Sequence, residues 1–457
     1  MPSAATGSVY EITEVVSGNA CSPADEVAYV CPGERHAVSR AVHFARLAAF
    51  YPACRECSHR LDAGHLPQPI VEHFDRSARR NVRSSLLGLE GISGVYLNEM
   101  TRPLAERYAE AFAKVLWSRQ PLQSRTLRGD AAESRRRLPT VIVGQDHHGA
   151  AADLVIGVAA ALRRMGCQVV DVGIVSTACF WFAVEHLEGA GGVYVTGAGC
   201  GPAGIGLNFI DAGGIPWSRG GSLDQLAAMQ VDGAARTSRQ GGKQRSFRIR
   251  LPYEAGLLKQ FHGVRPLRIG LACLSPTVEP HLSELLAAAA CRAEHTTPPM
   301  GNDSSRVTEL ALERLSALVR LERLPAGVLL GEDGQSCLLV DEHGVRIATP
   351  ELAAALAEVV LSESNSRNVV LDAALPPGLA ERLEQRGCNV AMSDGTREGM
   401  ARSMHREGAA FGCDGSDRCW FGDCASRCDG LATLARILQW LSRDDVASGL
   451  RSTSLRR

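Results

Sequence analysis

The chain has 457 residues, of which 45% are hydrophobic and 22% are charged, and its formal net charge at pH 7 is −1. This length and composition predict a globular protein with several domains, each of which can bury its own core. The balanced charge gives no reason to expect nucleic acid as a partner, and no apolar run reaches the ~20 residues that a membrane-spanning helix needs.

The first residues have neither the basic start nor the apolar stretch of a signal peptide. Fifteen cysteines without an export signal indicate a reducing compartment, in which thiols stay free or bind metal. We therefore expect a cytoplasmic protein that does not act at a membrane.

Residues 1–80 form a separate N-terminal extension that is rich in cysteine and histidine and has little periodicity. Cys54 and Cys57 have the C-x2-C spacing with which a tight turn aims two thiolates at one zinc ion. The further candidate ligands are Cys31 as the third, with His36, His59 or Cys21 as the fourth. A structural zinc would explain how this weakly patterned segment folds, and the extension would then offer a surface to a protein partner. The alternative is a segment without metal, in which these thiols are packed.

Residues 81–233 are predicted to form a first α/β domain. A helix is expected from Thr101, which is a suitable N-cap residue. Beyond it, predicted strands at 140–144, 167–172 and 191–196 alternate with predicted helices at 150–165 and 177–188. Alternation of this kind indicates βαβ units and a largely parallel sheet.

The next segment, residues 234–250, contains six basic residues and no acidic residue. We interpret it as a charged linker rather than as a phosphate- or RNA-binding patch, because such runs are usually solvated. Strand–helix alternation resumes over residues 251–348 and again over residues 349–457. The sequence thus predicts an α/β fold of three consecutive units, preceded by a small Cys-rich extension.

A glycine-rich loop follows the predicted strand at 191–196 and is the most informative segment of the chain. Loops of this shape present backbone N–H groups to an anion or to a reacting phosphoryl group. The loop offers one hydroxyl, Thr196, and one thiol, Cys200, but no lysine, histidine or carboxylate. Cys200 with His147 or His148 would make a nucleophile and a base. The alternative is that Cys200 is a small loop residue and that both histidines are exposed.

Several motifs, in order from Gly91 to Leu441, resemble those of the α-D-phosphohexomutases (phosphomannomutase/phosphoglucomutase). Residues 91–96 are similar to the family's opening Gly-Thr-Ser-Gly-hydrophobic-Arg, residues 143–148 to its Val-Gly-Arg-Asp-Thr-Arg segment, and residues 411–418 to its sugar-recognition loop Phe-Gly-Gly-Glu-x-Ser-Gly-His. The resemblance implies three phosphohexomutase-like α/β/α domains. It also implies that the substrate is contacted by Ser93, Asp146, Asp414 and Ser416, the last two through sugar hydroxyls.

The residues that carry the family's chemistry differ in this chain. In the family loop Thr-Ala-Ser-His-Asn-Pro the serine carries the phosphoryl group, and here Ala198 stands at its position. Alanine has no oxygen, sulfur or nitrogen that could accept a phosphoryl group. The family's metal loop, Asp-Gly-Asp-Gly-Asp-Arg, corresponds to residues 331–336, where Asp333 remains in register beside Glu332. Because Mg²⁺ requires several hard oxygen ligands, this remnant is predicted to be a solvated turn, and magnesium is not expected.

The family's fourth domain and its Arg-x-Ser-Gly-Thr-Glu-Pro phosphate loop have no counterpart in the sequence, so we expect this domain to be lost. A second cysteine cluster is interpreted as packed thiols and comprises Cys413, Cys419, Cys424 and Cys428. The hypothesis is a non-catalytic phosphohexomutase relative that acts as a phosphosugar-binding or regulatory scaffold, with a hexose phosphate as its candidate ligand. The alternatives are an active phosphosugar mutase, which the family operates with Mg²⁺ and a phosphoserine, and a zinc-dependent interaction module on an α/β platform.

Overall fold

In the computed structural model the chain divides into two compact units, Met1–Ser85 and Leu86–Arg457. The structure describes residues 29–30, 36–48, 54, 57–68, 71, 86–119, 138–201, 203–231, 238, 241–299, 301 and 303–443. Across these residues, no helix has the length and apolar character that crossing a membrane requires.

The first unit contains helix α1 (Arg40–Ala48), which buries His43. The His43 ring stacks on that of Tyr29, with 4.1 Å between the ring centroids. Cys54 packs against this helix, whereas Cys57 packs against Tyr29 in a second small cluster. The described part of this unit is therefore held together by small groups of buried rings and thiols.

The second unit begins with a six-stranded sheet. Its strands are β1 (Ile92–Val95), β2 (Thr140–Gln145), β3 (Gln168–Ile174), β4 (Gly191–Thr196), β5 (Gly204–Asp211) and β6 (Gln244–Ser246). The accompanying helices are α2 (Arg102–Arg119), α3 (Ala151–Arg164), α4 (Thr177–His186) and α5 (Ser222–Val231). The strand order is β1-β5-β4-β2-β3-β6, in which β5 is antiparallel to both of its neighbours and the other pairs are parallel.

Successive side chains of the central strands face two different apolar layers. Val141 and Val143 of β2 belong to the cluster that contains α2 and α3, whereas Ile142 between them belongs to the cluster that contains α4. Tyr194 of β4 also faces α4, and its ring centroid lies 4.9 Å from that of Phe180. Because both faces are covered by helices, these strands are apolar throughout rather than alternating.

The second sheet has the strands β7 (Arg268–Cys273), β8 (Arg292–His295), β9 (Ala326–Leu330) and β10 (Cys337–Asp341). Their order is β10-β9-β7-β8, and β10 is antiparallel to β9. The helices of this part of the chain are α6 (Arg250–Leu258), α7 (Glu279–Ala288) and α8 (Ser304–Glu322). A turn of six residues, 331–336, joins β9 to β10 and faces the first sheet's glycine loop across a cavity.

The third sheet has the strands β11 (Asn368–Asp372), β12 (Asn389–Ser393), β13 (Phe411–Cys413), β14 (Cys419–Phe421) and β15 (Arg427–Cys428). Its helices are α9 (Thr349–Glu363), α10 (Pro377–Gln385), α11 (Arg397–Glu407) and α12 (Gly430–Leu441). In the order β12-β11-β13-β14-β15 the first three strands are parallel, and β14 is antiparallel to β13 and to β15. Every residue of α12 is buried, so this helix lies inside the second unit.

The three sheets share one apolar core. A single cluster of buried residues runs from Phe180 of the first sheet's helix layer through Leu271 of β7 to Phe411 of β13. At its centre the rings of Trp181 and Trp420 lie 6.0 Å apart. Apolar side chains from all three α/β units are therefore buried against one another. This burial favours folding of the second unit as one body.

The predicted alternation of strands and helices is found from Thr140 onward, together with elements that the sequence did not predict, among them α5, α6 and β8. The predicted linker at 234–250 contains β6 and the first residue of α6, and β6 pairs with β3 at the edge of the sheet. All three residues of β6 are exposed, so this strand has no apolar pattern that would predict it. The strand that follows the glycine loop, β5, begins at Gly204.

Candidate functional site

A cavity of about 570 Å³ lies in the second unit where loops from the three sheets meet. It is bordered by the glycine loop after β4, the turn between β9 and β10, the start of α8 and the loop between β13 and β14. The parallel strands β4, β9 and β13 all end at this cavity. Open α/β sheets bind ligands at this edge, because the loops that follow the strands can vary without changing the sheet.

The glycine loop is fixed by Asp146, which directly follows β2. Its Oδ2 accepts hydrogen bonds from Thr196 Oγ1 and from the Gly197 N–H, both at 2.8 Å. The Ala198 N–H donates to Thr196 Oγ1 at 3.1 Å, and the Cys200 N–H donates to the Gly197 carbonyl at 2.9 Å. These three N–H groups are thus engaged within the protein. The loop was expected to present its N–H groups to an anion, and for these three groups that prediction is wrong. Asp146 positions the loop and is not among the described residues that line the cavity.

Ala198 and Cys200 line the cavity, whereas His147 and His148 are not among its described lining residues. Ala198 is half-buried and presents a methyl group at the position of the family's phosphoserine. The Cys200 thiol donates to the Ala198 carbonyl at 3.7 Å, and His148 Nδ1 accepts the Ala150 N–H at 3.3 Å. His147 is exposed. A pairing of Cys200 with either histidine as nucleophile and base stays a prediction.

A row of ion pairs, which we call the ionic chain, runs along the cavity from Asp333 through Arg397, Glu90 and Arg418 to Asp414. Arg397, the first residue of α11, donates to Asp333 Oδ2 at 3.1 Å and pairs with Glu90 Oε2 at 3.1 Å. Arg418 donates to both carboxylate oxygens of Glu90, at 3.1 and 3.2 Å, and through Nε to Asp414 at 2.9 Å. The ionic chain therefore joins segments of all three sheets.

The two arginines keep Glu90 and Asp333 ionised. Burial acts to raise the pKa of Glu90, but the charges of Arg397 and Arg418 hold that pKa below its ordinary value. At Asp333 burial again opposes ionisation, and the charge of Arg397 together with the Gln335 N–H brings the pKa below its ordinary value. Charged hydrogen bonds inside a poorly solvated site have this effect because they stabilise the anion more than the neutral acid.

Asp414 is completely buried and does not line the cavity. Besides Arg418 it accepts the Trp420 indole N–H at 3.0 Å and the Ser416 N–H at 2.9 Å. Burial raises the pKa of Asp414 above its ordinary value in spite of these bonds. The prediction that Asp414 contacts sugar hydroxyls is therefore corrected: its carboxylate holds the loop that brings Ser416 to the cavity wall.

Ser93 and Ser416, the two predicted contact residues with hydroxyl groups, both line the cavity. Ser93 lies on β1, where it is opposite Gly206 of β5. Ser416 is exposed in the loop after β13. The structure thus brings these two residues to one cavity from opposite sheets, while the role of each as a sugar contact stays a prediction.

The turn that corresponds to the family's metal loop does not fit Mg²⁺. Asp333 Oδ1 accepts the N–H groups of Gln335 and Ser336 at 2.9 and 3.1 Å and the Ser336 hydroxyl at 3.1 Å, and Oδ2 is bonded to Arg397. The neighbouring Glu332 is exposed and accepts the Ser304 hydroxyl at 2.9 Å. A guanidinium group therefore lies where a divalent cation would need the free carboxylate oxygens. Within the described ranges no three His, Cys, Asp or Glu residues converge as a metal site.

The predicted zinc ligands are only partly described. Cys54 and Cys57 are 1% and 2% exposed, His36 is exposed, and Cys31 and Cys21 lie outside the described residues. The second cysteine cluster consists of thiols in the third sheet, where Cys413 and Cys419 are directly opposite each other on β13 and β14. Zinc in the N-terminal extension stays a prediction.

Sequence reasoning missed the ionic chain. Glu90 and Arg397 are 307 residues apart, and Glu90 and Arg418 are 328 residues apart. The sequence contains only local signals for them: Arg397 follows Thr396, the N-cap of α11, and Arg418 stands where the family's sugar loop has histidine. Neither signal indicates a partner so distant in the chain.

The first domain of the second unit matches a known family. Residues 84–220 match the family model for phosphoglucomutase/phosphomannomutase, α/β/α domain I. The chain is 24% identical over 319 residues to the phosphomannomutase/phosphoglucomutase of Pseudomonas aeruginosa, in a match that covers 67% of this chain and 66% of that protein. It is 24% identical over 373 residues to the phosphoglucosamine mutase of Leifsonia xyli, covering 78% of this chain and 79% of that protein. This chain therefore spans just under two thirds of the Pseudomonas protein.

The same fold is found in solved structures. A phosphoglucomutase/phosphomannomutase family protein from Burkholderia thailandensis superimposes with a TM-score of 0.68 at 21% identity, over 79% of this chain and 78% of that one. The phosphoprotein pp63/parafusin (phosphoglucomutase) from Paramecium superimposes with a TM-score of 0.54 at 12% identity, over 78% and 70%.

The motif resemblance, the matched domain and the shared fold agree along the second unit. The three sheets occur in the order that the resemblance implied, and the loops that carry its motifs meet at one cavity. Residues 84–220 therefore match domain I of the phosphoglucomutase/phosphomannomutase family, the phosphohexomutases, and the second unit shares the fold of a solved protein of that family.

Proposed function

We propose that this protein is a phosphohexomutase-family member without mutase turnover, whose cavity binds a sugar-type ligand and which acts as a binding or regulatory scaffold. The observation that carries the proposal is the Asp333 carboxylate, whose two oxygens are occupied by the turn's own donors and by Arg397. Ala198 supports the same conclusion, because a methyl group cannot hold a phosphoryl group between two half-reactions. Fold alone does not confer the family's activity.

The remaining residues suit binding. Ser93 and Ser416 approach the cavity from opposite sides with hydroxyl groups that can donate and accept. The ionic chain holds the three sheets around the cavity in one arrangement, which limits the conformational freedom that a ligand must remove. A cavity of about 570 Å³ lies in the range of small-molecule sites.

Turnover of hexose 1-phosphate with Mg²⁺ tests the proposal on the wild-type chain and on Ala198→Ser. We expect neither protein to form the 6-phosphate, because the serine restores only the hydroxyl while Arg397 still occupies Asp333. Turnover by the wild type would overturn the proposal. If the wild type showed turnover and Cys200→Ala did not, the nucleophile would be the cavity-lining thiol of Cys200.

For the N-terminal unit we propose a structural zinc held by Cys54 and Cys57, which supports a surface for a protein partner in the cytoplasm. Both thiols are buried, and the Cys57 N–H donates to the Cys54 carbonyl at 3.3 Å, which brings the two residues together in one turn. Elemental analysis of the purified chain tests this proposal. We expect stoichiometric zinc in the wild type and its loss in the double variant Cys54→Ser/Cys57→Ser, and wild-type protein without zinc would reject the site.

A further inference from the structure

The charges around the cavity are unusual for a site that would hold a phosphate ester. Its described lining residues carry four carboxylates, on Glu90, Glu332, Asp333 and Asp417, but only two guanidinium groups. Lysine and histidine are absent from the same described lining residues. The walls are therefore net negative at neutral pH, and a phosphate dianion entering them would be repelled.

The two guanidinium groups are already committed to carboxylates. Arg397 is bonded to Asp333 and Glu90, and Arg418 is bonded to Glu90 and Asp414. A phosphate would have to compete with these buried carboxylates for the same N–H donors, which would leave ionised acids without a partner. The glycine loop gives little help, because three of its N–H groups are bonded within the protein.

Glu332 is the acid that remains for a ligand. It lies in the turn between β9 and β10, and its carboxylate accepts the Ser304 hydroxyl at 2.9 Å. Among the described residues it forms no ion pair with Lys or Arg, in contrast to Asp417, which is bonded to Arg346 at 3.0 Å through both oxygens. A cationic group of a ligand could thus pair with this carboxylate without displacing a protein cation.

The rest of the wall suits hydroxyl groups. Neutral polar side chains that line the cavity include Ser93, Asn208, Ser305, Thr308 and Ser416. A second and independent observation points to a ligand oxygen: Arg397 is 8% exposed and lines the cavity, and its Nε–H has no acceptor among the described residues. A buried donor of this kind is costly to leave unpaired, so a shift of the Arg397 side chain that brings its Nε–H to a ligand hydroxyl would be favourable.

We infer that this cavity takes a polyhydroxylated ligand without a phosphate ester, and that an amino sugar is preferred over its neutral counterpart because Glu332 pairs with the ammonium group. The inference rests on the proposed function, since it assigns the ligand class of the same cavity. It departs from the phosphosugar expected from the family resemblance, and the reason is the charge of the wall.

Isothermal titration of the full chain with glucosamine, glucose and glucose 6-phosphate tests the inference, because the three share one ring and differ in charge. We expect glucosamine to bind about fivefold more tightly than glucose, as one ion pair allows, and glucose 6-phosphate to bind more weakly than either. Glu332→Gln should remove the preference, so that glucosamine binds no more tightly than glucose. Glu309→Gln is the matched control, because this exposed glutamate lies on α8 outside the described cavity lining and pairs with Arg306.

Each of the other possible results would overturn one part of this inference or of the proposed function. Tightest binding of glucose 6-phosphate, or an unchanged preference in Glu332→Gln, would overturn the assigned ligand class while leaving a non-catalytic binding protein in place. Binding of none of the three sugars would overturn the ligand class together with the sugar-binding part of the proposed function. Turnover of hexose 1-phosphate would overturn the absence of mutase activity and is measured in a separate assay.

Discussion

At the residue scale, Asp211 couples protonation to stability. This last residue of β5 has a buried Oδ1 with no donor among the described residues, while Oδ2 lies 3.4 Å from Arg402 and 4.0 Å from Arg119. Burial raises the pKa of Asp211 to about 6, although the two arginines act in the opposite direction. In the unfolded chain an aspartate titrates near 3.9, so the native state keeps the proton to a higher pH.

We predict that Asp211→Asn stabilises the protein at neutral pH but not in acid. The contribution of Asp211 to the free energy of unfolding is complete below about pH 4 and is lost as the pH rises through about 6. The shift corresponds to at most about 3 kcal/mol, and the nearby arginines reduce what is realised. Urea denaturation at about pH 4 and about pH 7.5 measures the difference between wild type and variant. An equal effect of the substitution at both pH values would contradict this account.

A site residue could be predicted from the sequence when a short motif around it indicates its role, and could not when its role depends on partners far away in the chain. Ala198 and Asp333 are identified by their register within short motifs, and both line the cavity. Asp414 is part of such a motif as well, but its burial depends on Arg418 and Trp420 packing around it, which a motif does not report. Glu90 has no local signal, because its partners come from the third sheet.

At the scale of elements, the start of α8 depends on one side chain. Asp303 directly precedes the helix, and its Oδ1 accepts the N–H groups of Ser305 at 2.9 Å and Arg306 at 3.3 Å. We predict that Asp303→Ala lowers the free energy of unfolding by about 1 kcal/mol, because two helix-terminal N–H groups lose their acceptor. Asp303→Asn keeps an acceptor and should cost only a few tenths. Thermal unfolding of the two variants checks this, and equal losses would show that capping is not the cause.

The elements that could be predicted are those whose pattern is internal to them. The strand at Gly191–Thr196 is buried throughout, and a short apolar run bounded by glycine predicts it with the correct bounds. Helix α5 was not predicted. Part of its stabilisation comes from the third sheet, where Glu398 accepts the N–H groups of Ser218 and Ser222 at 2.8 and 3.0 Å. A cap supplied from 176 residues away cannot be recognised from the local sequence.

At the scale of the whole second unit, the three sheets are joined by apolar and ionic contacts together. Trp181 and Trp420 meet within the shared core, and the ionic chain connects the segments before β1, after β9 and after β13. Three consecutive α/β units were predicted from the sequence, but their common core was not. Periodicity shows which face of an element is apolar, and does not show which other element covers it.

Replacing Arg418 tests how much the ionic chain contributes to holding the three sheets together. The side chain is 6% exposed and bonds two carboxylates from different sheets, Glu90 and Asp414. We predict that Arg418→Ala lowers the free energy of unfolding by about 3–5 kcal/mol, because Asp414 is left fully buried without its cation and Glu90 keeps only Arg397. The matched control is Arg386→Ala, since Arg386 pairs with Glu358 at 3.1 Å while both side chains are more than half exposed, and its loss should cost about 1 kcal/mol or less. Urea denaturation followed by tryptophan fluorescence measures both variants. If Arg418→Ala cost no more than Arg386→Ala, the three sheets would be held together by their apolar core alone, and the ionic chain would serve only to shape the cavity.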